Sequence, residues 1–255
     1  MDNRYLAWSL RNQLVWRLLR WRLRHLCSEK VMRGPFAGMQ LLGTSLNSAF
    51  FPKIVGSYEK ELHPLLNEIA RQEFELLINV GAGEGFYTVG FLRSQIVSRV
   101  VCFESDPKAP VLIKTMASMN GVSQRQIDVY GNCTNETLRA ACKLTNNPLL
   151  LVDVEGYEAI LLDPLRVPEL TGASILVETH DCVVHGITDA LIERFSSTHR
   201  ISRISGNARD EKDAMAVNDW FINLLPAYCK NYLVTEFRPQ NMEWFWMQPL
   251  PKQPQ

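Results

Sequence analysis

Residues 76–107 read LLINVGAGEGFYTVGFLRSQIVSRVVCFESDP, and this stretch decides the fold. It opens with Leu76-Leu77-Ile78-Asn79-Val80, a short apolar run of strand type that ends in glycine punctuation. Gly81, Gly83 and Gly85 follow at alternate positions, and residues 86–93 then carry a helical pattern. A second buried-strand run, residues 100–103, stops at Glu104. Strand, glycine turn, helix, strand, acid is the opening half of a nucleotide-binding βαβ unit. Without a Cβ, the glycines leave the turn backbone open to close approach by a ligand. A carboxylate at the tip of the second strand can accept hydrogen bonds from both hydroxyls of a ribose.

Glycine spacing separates the cofactor classes that share this layout. The dinucleotide fingerprint is G-x-G-x-x-G/A, with a small third residue for close helix–strand packing. Here that place is held by Phe86, and the next glycine comes one residue early, at Gly85. The resulting G-x-G-x-G resembles motif I of the class I S-adenosylmethionine-dependent methyltransferases, whose ligand has no pyrophosphate. An NAD(P)-dependent oxidoreductase is the disfavoured enzymatic rival. A tight turn that binds no nucleotide is the structural alternative, and Glu104 weighs against it.

At 255 residues the chain has room for one large α/β domain or two small ones. Lysine plus arginine and aspartate plus glutamate both number 27, so bulk charge points neither to nucleic acid nor to an acidic surface. The six cysteines show no C-x-x-C, as expected of reduced cysteines in a cytoplasmic protein. The longest uncharged stretch, residues 34–52, is too rich in glycine, serine, asparagine and proline to span a membrane.

Residues 1–30 stand apart as a basic helix. Leu10, Leu14, Leu18 and Trp21 share one face, while Arg4, Arg11, Arg17, Arg20, Arg22 and Arg24 are opposed only by Asp2 and Glu29. With Trp8, Trp16 and Trp21, it could lie on an anionic membrane surface. Its arginines are not confined to one face, which favours packing on the domain or on a second copy, with arginine stems covering apolar surface. Residues 31–56 read as an irregular approach, and 57–250 as the main domain. Within it the pattern predicts a helix over 62–70, a helix opened by Pro107, a strand over 126–130, a helix capped by Asn135 and a helix over 187–195. Strands follow at 199–205 and 242–247, separated by an insertion, 206–240, with a short helix around Trp220. Five alternations of strand and helix mean an α/β doubly wound, mostly parallel sheet.

The second informative block is PLLLVDVEGYEAILLDP, residues 148–164. A buried strand, 149–152, puts Asp153, Glu155 and Gly156 at its carboxyl end; the next, 174–177, ends in Glu178, His180 and Asp181. Ligands of such sheets bind at the carboxyl ends of the strands, near the point where strand order reverses. Asn79, Glu104, Asp153, Glu155, Glu178 and His180 gather there.

On these residues the chain resembles FkbM-type methyltransferases. The matching stretches are VGSYEKEL (55–62), INVGAGEGFYT (78–88), VVCFESDP (100–107), LVDVEGYEAILL (151–162) and ILVETHD (175–181). The resemblance implies a seven-stranded Rossmann-like sheet, an S-adenosylmethionine cofactor and methyl transfer, usually to oxygen. It departs from the family at Asn79, where aspartate is usual, and at Leu151, where lysine is common. The expected cofactor residues are Gly81 and Gly83 for the methionine moiety and Glu104 for the ribose, with Asn79 beside the ammonium. Ser105 and Cys133 are placed on the adenine side by strand position. Tyr58 and Glu59 match a family segment that lies over the cofactor; a second reading, the first turn of the 62–70 helix with Glu59 favoured by its dipole, stays open.

Transfer of a methyl group to oxygen needs positioning and a base for the hydroxyl proton. Asp153 leads as base, with Glu155 and His180 next. Asp153, Glu178, His180, Asp181 and His185 also allow a divalent-metal reading, but their spacing fits no standard motif, so none is expected. The partner is a small-molecule acceptor such as a sugar or polyketide hydroxyl. Residues 206–240, with Arg209, Asp210, Lys212, Asp213 and Trp220, are the expected cap over it. The rival outside enzymology is a non-catalytic adaptor acting through the basic helix.

Overall fold

The computed structural model describes residues 3–43, 45, 49–206, 211–238 and 242–251, with the side chains of 3–12 and 211 outside the description. The expectations placed on Arg4, Trp8, Leu10, Arg11, Arg209 and Asp210 fall among what is not described. In chain order the elements begin with α1 (Asn3–Cys27), α2 (Phe50–Val55), α3 (His63–Ile69), β1 (Leu76–Val80), α4 (Phe86–Arg93) and β2 (Arg99–Phe103). Next come α5 (Ala109–Met119), β3 (Ile127–Tyr130), α6 (Asn135–Cys142), β4 (Leu149–Val152), α7 (Glu158–Leu161) and β5 (Ser174–Thr179). The chain continues through α8 (Ile187–Phe195), β6 (His199–Ser205), α9 (Glu211–Met215), α10 (Trp220–Leu224), α11 (Ala227–Val234) and β7 (Glu243–Pro249).

The seven strands form one sheet in the order β3-β2-β1-β4-β5-β7-β6. It is a Rossmann-like, doubly wound α/β sheet. Strands β1 to β5 pair in parallel, and β7 runs antiparallel between β5 and β6. Every residue of β1, β4 and β5 is buried, which is why these strands read as near-continuous apolar runs and not as alternating ones. Leu150, Val152, Ile175 and Val177 join Leu191 and Phe195 of α8 and Phe245 of β7 in one core cluster. Strand order reverses between β1 and β4, so the crevice of the fold opens beyond Val80 and Val152.

The chain divides into two compact units, Met1–Lys60 with Ala208–Phe237, and Glu61–Asn207 with Arg238–Gln255. The second unit holds the whole sheet. In the first, α1 buries Val15, Leu19 and Leu23, while Leu14 and Trp21 stay 67% and 51% exposed. The covered stripe is therefore one residue round from the face picked out by sequence. Aromatic partners far along the chain decide this: the Trp16 ring lies 6.0 Å from that of Phe51, and Arg20 and Arg22 stack over Trp16 and Phe221. Arg22 also pairs with Asp219.

Several local expectations change. The approach segment contains α2, and the 62–70 helix becomes a 3₁₀ turn, Lys60–Leu62, followed by α3. Pro107 precedes α5, and Pro110 takes the first-turn position. Thr134, not Asn135, caps α6, because its hydroxyl accepts from the Thr137 N–H; the Asn135 amide donates instead to the carbonyls of Ile160 and Leu161. Strand β5 runs on to Thr179, placing Glu178 inside the sheet opposite Trp244. Three helices, α9 to α11, occupy the insertion where one was expected. Among the described residues all six cysteines are free, and no helix is long and apolar enough to cross a membrane.

Candidate functional site

Two strand tips of the sheet unit carry the expected chemistry. At the first, the chain leaves β1 through Gly81, whose φ of +85° lies in the left-handed region. A Cβ there would sit 1.7 Å from the carbonyl oxygen of Asp153, so any side chain is excluded. What crowds Gly81 is thus the exit of β4 and not a ligand. The turn is held by its own surroundings: the N–H groups of Gly81 and Ala82 both donate to the Phe103 carbonyl. Glu104, at the tip of β2, accepts from the Gly83 N–H at 2.7 Å and, on its other oxygen, from the Asp106 N–H and the Ser105 hydroxyl. A carboxylate has about four lone-pair sites, so two ribose hydroxyls would displace at least one of these three donors.

Asn79 is buried, and its amide donates to the Thr88 hydroxyl at 3.0 Å, tying β1 to α4. Its Oδ1 has no hydrogen-bond partner. Cys133 packs against the core, and burial pushes its thiol up to about 12, so it offers a surface and no nucleophile. Tyr58 and Glu59 belong to the other compact unit. Neither sits in a helical first turn: they form a turn ahead of the 3₁₀ segment, with Glu59 at φ +45° and its N–H on Glu236.

The second tip joins the ends of β4 and β5. The Asp153 N–H donates to the Val80 carbonyl, continuing the β1–β4 ladder by one residue. The backbone then turns through Glu155 and Gly156, both at positive φ, and this leaves the Glu155 side chain 71% exposed. Glu158, first residue of α7, folds back beneath the turn and is fully buried. Its Oε1 accepts from the N–H groups of Val154 and Gly156 and lies 2.5 Å from Nδ1 of His180. An oxygen that accepts from two N–H groups fixes Nδ1 as a donor too, so Nε2 is the variable nitrogen of the ring. From the α8 side, Arg194 donates to the Ala159 and Leu162 carbonyls and anchors α7.

His180 is 1% exposed, and its Nε2 faces Asp153 Oδ1 at 3.6 Å, Glu155 Oε2 at 3.5 Å and Glu178 Oε2 at 3.8 Å. None of these is a hydrogen bond, and Nε2 is without a hydrogen-bond partner. Burial lowers the proton affinity of His180, but the Glu158 hydrogen bond and the charges of Glu158, Asp153 and Glu155 outweigh it, and its pKa rises. Burial raises the carboxyl of Asp153, against the pull of His180 and Arg238. Glu178 is paired with Arg238 at 2.5 Å.

The structure therefore brings Asp153, Glu155, His180 and Glu178 together and sets apart two members of the sequence cluster. Asp181 caps α8 by accepting from Gly186 and Thr188, and His185 is exposed. Glu158 and Arg238 were missed. A lone acid in the apolar run EAILL was the available sign of Glu158, since an acid in such a run is buried only with partners.

No family model matches the chain, and no curated relative matches it. Among solved structures it is similar to a precorrin-6Y C5,15-methyltransferase from Geobacter metallireducens, at 9% identity over 75% of this chain and 87% of that one, with a TM-score of 0.48. A precorrin-6Y C5,15-methyltransferase domain from Corynebacterium diphtheriae is 19% identical over 76% of this chain and 98% of its own, with a TM-score of 0.47. An O-methyltransferase from Bacillus cereus in complex with SAH is 12% identical over 75% and 81%, with a TM-score of 0.46.

Proposed function

We propose that the chain is an S-adenosylmethionine-dependent methyltransferase acting on a hydroxyl of a small polar molecule such as a sugar or polyketide. The observation that carries this reading is the contact between the two tips: the Gly81 turn packs on the carbonyl of Asp153, so a ligand seated on the turn has its reactive end beside the acid–histidine cluster. The residues fit the cofactor. Asn79 offers a buried acceptor with no partner near the turn, and Glu104 stands at the ribose position. When bound, S-adenosylmethionine supplies an electrophilic methyl group on a sulfonium.

In this reading Asp153 takes the acceptor's hydroxyl proton as the oxygen forms its bond to the methyl carbon and the carbon–sulfur bond breaks, leaving a methyl ether and a neutral thioether. A raised carboxyl pKa suits that task, because a base works best when its pKa lies near the working pH. Glu158 orients His180 towards the same space, and the cluster's surplus of acids favours a cationic cofactor. Calorimetry with S-adenosylmethionine and with NAD tests the reading. Binding of the first alone supports it; binding of NAD, or of neither, overturns it.

A further inference from the structure

We propose that Asp153, Glu155 and His180 hold a divalent first-row transition ion at the carboxyl ends of β4 and β5. Three observations lead there. One ligand atom from each of Asp153, Glu155 and His180 falls within 4.8 Å of the others. His180 is buried to 1% exposure, yet its Nε2 has no hydrogen-bond partner and faces that group. And Nδ1 is fixed by a buried carboxylate, Glu158, which is the arrangement that sets the tautomer and basicity of a metal-binding imidazole.

The spacing is that of ligands around an ion. Bonds of about 2.0–2.2 Å to nitrogen and oxygen put neighbouring tetrahedral ligand atoms about 3.3–3.6 Å apart. The imidazole nitrogen lies 3.6 Å from Asp153 and 3.5 Å from Glu155: too long for hydrogen bonds, and right for a shared ion. Charge argues the same way. Four carboxylates, Asp153, Glu155, Glu158 and Glu178, surround His180, and Arg238, which pairs with Glu178 and also draws on Asp153, leaves the acids in excess among the described residues. One imidazole with two carboxylates selects Mn²⁺, Co²⁺ or Zn²⁺ over Mg²⁺, which prefers an all-oxygen shell. Three protein ligands leave a fourth position open, as in catalytic sites. This deepens the methyl-transfer reading and rests on it only for the occupant of that position, the acceptor hydroxyl, whose proton an ion would loosen towards Asp153.

The test uses the full chain stripped with chelator and titrated with Co²⁺ alone, read by its visible absorption and by calorimetry. One equivalent should bind, and Zn²⁺ should displace it. Glu155→Gln, at an exposed side chain that cannot upset the fold, should weaken Co²⁺ at least tenfold. Glu158→Gln should weaken it about 10–100-fold by loosening the imidazole. His185→Ala, at an exposed imidazole outside the cluster, should bind as the parent does. Absence of Co²⁺ binding, or equal affinity in Glu155→Gln and the parent, overturns the proposal. S-adenosylmethionine affinity is measured on the same samples: loss of the ion site with cofactor binding intact removes only this inference, and the reverse removes only the methyl-transfer reading.

Discussion

The two ends of the sheet each bury a histidine, and the two are used in opposite ways. At the amino end, His199 opens β6 with Nε2 on the Ala173 carbonyl at 2.9 Å and Nδ1 on the Thr198 hydroxyl at 2.8 Å. Both ring nitrogens are satisfied by neutral groups, and burial holds the pKa of His199 low. At the carboxyl end, His180 is buried as deeply but among acids, with one nitrogen unpartnered and its pKa raised. A satisfied polar group has been placed for the fold, whereas an orphaned one in a charged pocket asks for something that the chain does not supply. The amino end does carry a depression of ≈ 790 Å³, lined by Gln72, Glu73, Gln95, Ser98 and Asn120 among others.

If the ends differ in this way, damage to one should register as activity and damage to the other as stability. Asp153→Asn should lower kcat by about 10²–10⁴-fold, the usual worth of a general base, with S-adenosylmethionine affinity within a few-fold of the parent. Full turnover in a screened acceptor assay would dissolve the contrast. Gly81→Ala sits where the tips meet: strain at positive φ and overlap with Asp153 together cost on the order of 3 kcal/mol, and the melting temperature should fall by several degrees. An unchanged melting curve would mean that the turn is slack. Glu104→Ala should weaken S-adenosylmethionine at least tenfold, corresponding to about 1.5–3 kcal/mol, read by calorimetry; an unchanged dissociation constant removes Glu104 from the ribose.

The smallest effect belongs to His199. Its folded pKa lies below the unfolded value of about 6.5, so the unfolded chain takes up the proton first and stability falls as pH drops from there towards the folded value. The loss in melting temperature between pH 7.5 and 5.5 should be smaller in His199→Gln than in the parent. Equal losses would show that His199 titrates normally and that the two histidines are less unlike than they look.

Legibility followed the range of the interactions. β1, β2, β4 and the glycine turn were read because each is specified within a few residues by apolar runs and φ > 0 positions. The antiparallel sense of β7 was not, because Trp244, Phe245 and Trp246 look the same in either direction and only pairing with β5 fixes it. At the site, Asp153 and His180 were found from their strand-end positions, while Glu158 lies beyond the strand end, as the first residue of α7, and only its burial beneath the turn marks it. On α1 two stripes compete, and Phe51 and Phe221, distant in sequence, choose between them.

That last dependence has a consequence for how the chain is made. The guanidinium of Arg22 closes on Asp219, 197 residues later, and the Trp21 ring meets Phe221 from the same segment. At about 5–20 residues per second, α1 leaves the ribosome roughly 10–40 s before those partners exist. Over that interval the sheet unit's first six strands are synthesised, and the basic helix waits with Arg22 and Trp21 uncovered. A nascent chain stalled between residues 60 and 208 should therefore be the form in which this helix is most open to chaperones and to the wrong partner.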